Sequence, residues 1–205
     1  MEEKNVKKIG AMLLSTLKER GMQDAEQIAA RYRNRLSNMY ASDLYREHNQ
    51  YPTMNVPYIY AVIAMCLELR NIGMPDKEVI DTVNTVFRKR REFFARLIKC
   101  IDLLPNSYQI AKKWNINDHD KRVKDGSITY DTFTASDEKV EYSISRCMYV
   151  EMFEAYGIRS LCKIFCITDE NAYAGLTRHV KFIRHSDLSD GSCCHDEVIN
   201  KACIR

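Results

Sequence analysis

The chain changes its hydrophobic period once, near residue 125, and that change limits the folds open to it. Before it, apolar residues recur every three or four positions: Val6, Ile9, Leu13, Leu17, then Ile28, Tyr32, Leu36, Met39. That spacing lines one face of a helix. After it, "GSITYDTFTASDEKVEYSISRC" is rich in Thr, Tyr, Val and Ile, with "SDEK" between two alternating runs, which reads as a β-hairpin. The expected class is α+β: a helical N-terminal portion, residues 1–115, packed on a small antiparallel sheet with short helices in residues 125–205. At 205 residues the chain is long enough for one well-buried domain or two small ones, and a single domain is the expectation.

Within the helical portion, Gly21 closes the first helix and Asp24 is placed to cap the second. A loop carrying Pro52 and Pro57 follows, since proline disfavours helix at the residue before it. Residues 58–71 are apolar nearly all round, which predicts a central helix ending at Gly73. Asp76 opens a long helix through Val79, Val83, Val86, Phe87, Phe94, Leu97 and Ile101. Its "RKRRE" at 88–92 is either a patch for an anionic ligand or a solvated helix face. The second reading is preferred, because no aromatic interleaving accompanies it.

In the second portion "MYVEMFEAYG" predicts a short helix stopped by Gly157, and "RSLCKIFCITDENAYAGL" continues helical. "HVKFIRH" and "CHDEVIN" read as two more strands joined by "SDLSDGS". The sheet should therefore come from residues 127–146 and 180–200. Net charge is only +3, which does not by itself imply a nucleic-acid partner. No signal peptide is read at the N-terminus, and the most apolar run, "VPYIYAVIAMCLEL", is broken by Glu68 and too short to span a bilayer. A cytoplasmic protein is expected, with no nucleic-acid or membrane partner.

Eight cysteines are many for this length, and six of them fall at Cys147 and beyond. A disulfide scaffold is unexpected without a secretory signal, which leaves metal binding, catalysis or burial. A zinc site would take Cys162, Cys166, Cys194 and His195, but the adjacent second pair does not make a knuckle. No metal is expected. Nor is there a G-x-S-x-G elbow, a phosphate loop or a dinucleotide fingerprint among the seven glycines. Cys162, Cys166, Asp169 and Tyr173 share one face of a continuous helix. Cys147 stands at a strand-to-helix junction beside Arg146, where helix N–H groups and positive charge favour a thiolate. Simple burial of a small hydrophobe is the other reading of Cys147. Of the histidines, His179 and His185 flank a predicted strand, so that either one faces a pocket or both are exposed.

The runs "EYSISRCMYVEMFEAYG", "FCITDENAYAGL" and "VKFIRHSDLSDGSCCHDE" together resemble the L-2-amino-thiazoline-4-carboxylic acid hydrolase family. The matching positions are Cys147, Cys166, Asp169, Arg184, Gly191 and Cys194, with a departure after Cys194, where this chain has His195-Asp196-Glu197. The resemblance implies a hydrolase that opens a carbon–nitrogen bond of a small cyclic amidine or isothiourea, without a cofactor. Cys147, Cys166, Asp169 and Cys194 are the catalytic candidates it implies, with Cys147 as nucleophile. Arg184, His179 and His195 are candidates for holding substrate, Arg184 by gripping a carboxylate. The alternative is a small-molecule sensor whose cysteines only pack the pocket wall.

Overall fold

The computed structural model describes residues 2–51 and 56–203, without the side chains of 2–5 and 89–93. Pro52 and most side chains of the "RKRRE" patch therefore lie outside what is described. The fold is α+β, and its contacts divide it into two compact units, Met1–Arg90 and Arg91–Arg205.

The first unit is helical: α1 (Glu2–Glu19), α2 (Ala25–Tyr40), α3 (Asp43–His48), α4 (Val56–Asn71) and the first part of α5 (Asp76–Asp102). Its core is the stripe read from the sequence, with Leu13, Leu17, Tyr32, Leu36 and Val83 all sealed from solvent. Helix α4 is central, as its apolar circumference requires. It begins two residues earlier than expected, because Pro57 sits in the first turn, where a missing N–H costs nothing. The one charge buried in it, Glu68, accepts hydrogen bonds from Arg31 (2.5 Å) and Arg35 (3.2 Å). Asp24 precedes α2 but makes no side-chain cap bond.

The second unit holds a four-stranded antiparallel sheet of β1 (Ile128–Ala135), β2 (Lys139–Cys147), β3 (Val180–Ser186) and β4 (Cys194–Asn200), in the order β1-β2-β4-β3. Between β2 and β3 come α7 (Met148–Glu154), a 3-10 turn (Arg159–Cys162) and α8 (Lys163–Tyr173). Register sets the inner face of the sheet. Val140 lies opposite Val198, Tyr142 opposite Asp196, Ile144 opposite Cys194, and Arg184 opposite Asp196 from the far side. Alternation puts His195 and Glu197 on the other face.

Helix α6 (Ser107–Asp125) packs Tyr108 and Ala111 against Val140, Val180 and Val198. No apolar period announces this helix. Its inward side begins apolar, at Tyr108 and Ala111, and continues polar, at buried Asn115 and half-buried Arg122. Among the described residues no helix is long and apolar enough to cross a membrane.

Candidate active site

Four thiols converge on the inner face of the sheet, each brought by a different piece of local structure. Cys147 ends β2 and forms the N-cap of α7 in an extended conformation. Its sulfur stands near the N–H groups of Tyr149 and Val150, which favour the thiolate, although neither contact closes into a full cap hydrogen bond. Cys162 precedes α8 and Cys166 lies one turn into it. Cys194 opens β4 and accepts the Leu188 N–H at 3.3 Å. Cys162 is within electrostatic reach of Cys147, Cys166 and Cys194.

The loop that delivers Cys194 is held from several sides. Asp187 accepts the Ser189 N–H at 2.9 Å, and the Ser189 hydroxyl as well. Lys163 reaches Asp190 at 2.9 Å, and Arg159 donates to the carbonyls of Leu188 and Gly191. Gly191 lies so close to the Asp187 carbonyl that an added Cβ would stand 2.8 Å from its oxygen. Adjacent Cys193 turns instead toward Ser186, 3.6 Å away.

Asp169, on α8, is the charge common to the site. It acts electrostatically on Cys147, Cys166, Tyr130, Tyr142, Tyr173 and Arg184. More than half of its side chain is exposed, so it stands at the solvent edge while the thiols lie deeper. Burial pushes all four thiols up: Cys194 to about 12, Cys147, Cys162 and Cys166 in the same direction. At rest they are neutral. Against that, the α7 N–H groups and Arg122 favour the Cys147 thiolate, and Arg184 favours that of Cys166. Burial also keeps the phenols of Tyr130, Tyr142 and Tyr173 protonated. Tyr173 accepts a 2.8 Å hydrogen bond from Asn115 and stacks flat on Phe182 at 4.7 Å.

The cations are placed differently from the sequence reading. Arg146 was expected to support the Cys147 thiolate, but its fork grips Glu151 at 2.6 and 2.7 Å and the Gly126 carbonyl at 2.9 Å. Arg122 supplies the charge near Cys147 instead. Arg184 was expected to hold a substrate carboxylate. Its Nε and Nη2 both donate to Asp196 at 2.9 Å, and Nη1 donates to the Cys166 carbonyl at 2.6 Å. It approaches Asp169 and Glu170 only at 3.6 Å.

Neither candidate histidine joins the cysteines. His195 points from the opposite face of β4, where it bonds Glu141 at 3.0 Å and stacks on His185 at 4.6 Å. That orientation also splits the zinc set Cys162, Cys166, Cys194 and His195. His179 lies in the turn before Val180, which pairs with Asn200 at the end of the sheet away from Cys194. An open groove of about 430 Å³ lies beside the cluster, with Tyr173, Phe182, Arg184 and Lys201 in its wall and none of the cysteines. Sequence reading missed Asn115 and Arg122. The signal available for them was polar residues at helical spacing after Tyr108 and Ala111.

A cluster of thiols and tyrosines on one face of a small antiparallel sheet defines the class: an α+β protein with buried nucleophile candidates and a solvent-edge carboxylate. Residues 58–196 match the family model described as L-2-amino-thiazoline-4-carboxylic acid hydrolase, and the chain belongs to that family. The match takes in α6 as well as the three segments that carried the resemblance. No curated protein matches the chain.

Proposed function

We propose that this protein hydrolyses a small cyclic amidine or isothiourea, such as a 2-amino-thiazoline carboxylate, with Cys147 as nucleophile. The observation that carries this is the convergence of Cys147, Cys162, Cys166 and Cys194 with Asp169 on one sheet face, in a chain of a hydrolase family. A protonated isothiourea is a cation with an electrophilic carbon. Its arrival beside a neutral thiol favours the thiolate, as any opposite charge does. Cys147 Sγ then adds to that carbon while the C=N electron pair moves to the ring nitrogen. Asp169 relays the thiol proton to that nitrogen, and the C–N bond breaks with its electron pair on nitrogen. Water adds to the remaining carbon and the enzyme thiol departs, leaving a carbamoyl product and the free enzyme. Arg184, bound to Asp196, orders Cys166 and Asp169 from behind.

Reduced thiols are needed throughout, which supports a cytoplasmic location as part of the proposal. The upward shift of Cys147, Cys162, Cys166 and Cys194 supports a second reading, a sensor that binds the same ligand without turnover. Product analysis with 2-amino-thiazoline-4-carboxylate, on wild type and on folded Cys147→Ala, Cys166→Ala and Cys194→Ala, decides. The expected result is loss of turnover in Cys147→Ala by roughly a thousandfold or more, and smaller losses in the other two. Full activity in Cys147→Ala would transfer the role to Cys166 or Cys194, and full activity in all three would end covalent catalysis. Tight binding without product in wild type would establish the sensor.

A further inference from the structure

Every other arginine around the site has its guanidinium committed. Arg146 forks Glu151, Arg159 holds two loop carbonyls, and Arg184 holds Asp196 and the Cys166 carbonyl. Arg122 is different. Its side chain is 13% exposed, yet buried Nη1 has no hydrogen-bond partner among the described residues. A buried guanidinium nitrogen left unpaired is costly, and native structures rarely keep one without a reason. Two contacts place the rest of the side chain. Nε donates to Asp118 at 3.3 Å, and the guanidinium carbon stands 5.9 Å from the centre of the Tyr149 ring. Tyr149 follows Cys147 by two residues and its backbone N–H stands near the Cys147 sulfur, so Arg122 lies against the segment that carries the thiol.

We infer that Arg122 anchors the carboxylate of the ligand, through the unpartnered Nη1 edge, and so selects carboxylate-bearing cyclic isothioureas over uncharged ones. The inference rests on the hydrolase reading and deepens it. A protonated 2-amino-thiazoline carboxylate is dipolar, with its cationic carbon and its carboxylate on opposite sides of a five-membered ring. The site carries both signs of charge: Asp169, on α8, disfavours the Cys147 and Cys166 thiolates, and Arg122, on α6, favours that of Cys147. Burial opposes the Arg122 charge, but Tyr149, Asp118 and Asp125 outweigh it and hold the group cationic. A planar guanidinium also offers a carboxylate two parallel donors, which an ammonium does not.

The test is equilibrium binding of two probes, 2-amino-thiazoline-4-carboxylate and its decarboxylated analogue 2-amino-thiazoline, to the full chain. Wild type should prefer the carboxylate by about 10- to 100-fold, the range of a hydrogen bond to a charged group. Arg122→Gln should reduce that preference to near unity, a change in selectivity that mere loosening of the fold would not produce. Equal binding of both probes by wild type, binding of neither, or retained preference in Arg122→Gln each overturns the inference. Should Arg122→Gln fail to fold, Arg122→Lys decides: a lowered preference supports the anchor and an undiminished one rejects it. Turnover is scored separately. Selective binding abolished by Arg122→Gln, with no product from wild type, leaves the anchor standing and removes the hydrolase reading.

Discussion

At the scale of single residues, the Arg184–Asp196 pair shows how a buried charge is made tolerable. The Asp196 side chain is 3% exposed and that of Arg184 10%, and both carboxylate oxygens meet the guanidinium at 2.9 Å. Removing Asp196 leaves the buried Arg184 charge with only the Cys166 carbonyl and the 3.6 Å approaches of Asp169 and Glu170. Asp196→Ala should therefore destabilise the protein by about 3–5 kcal/mol in urea unfolding. Replacing both residues with apolar ones, as Asp196→Leu with Arg184→Met, should recover part of that loss. A cost under about 1 kcal/mol for Asp196→Ala would mean the pair is solvated rather than buried.

At the scale of elements, the connection from β3 to β4 is where sequence and site meet. Gly191 permits a chain approach that any Cβ would obstruct, since the neighbouring atom is a backbone carbonyl oxygen that cannot swing away. Gly191→Ala should open the turn, pull Cys194 from the Leu188 N–H, and cost about 1–3 kcal/mol. Thermal unfolding measures the cost, and modification of Cys194 by a thiol reagent should become faster. Unchanged reactivity would show that the strap from Arg159 and Lys163 holds the loop without the glycine. Helix α6 teaches the complementary point: its inward side turns from apolar Tyr108 and Ala111 to polar Asn115, which bonds Tyr173, and half-buried Arg122, so no apolar period runs its length. Gly126, at φ 66, closes it in the left-handed conformation that a residue without Cβ adopts freely.

For the whole molecule, burial of thiols and phenols sets a pH limit. Cys194 rises from an ordinary 9.0 to about 12, and Tyr108 from 10.0 to about 12. A raised group keeps its proton in the folded chain and loses it in the unfolded one. Its contribution is therefore complete below the unfolded value and is lost as pH climbs through the folded one. Melting temperature should fall between about pH 9 and pH 11, more shallowly in Cys194→Ala. A melting temperature independent of pH across that range would mean these groups titrate as though exposed.

Alternation and helical spacing, which depend only on neighbours along the chain, already determined the α+β class, the stripes of α1, α2 and the first half of α5, and all four strands, whereas Phe94 and Leu97 of the expected α5 stripe are exposed. Local chemistry likewise marked Cys147, before a helix, and Cys166 and Asp169, on a shared helix face, because such signals lie in a few adjacent residues; Cys194 was marked by the family resemblance alone. Which charges are spent and which remain open was decided only in three dimensions. Arg184 meets Asp196 because β3 and β4 pair in one register, and a register is a relation between strands. His195 leaves the site because β4 turns it to the other face, though it is adjacent in sequence to Cys194. Arg122 acts on the Cys147 thiol from 25 positions earlier, a proximity that only the folding of α6 beside β2 and α7 supplies.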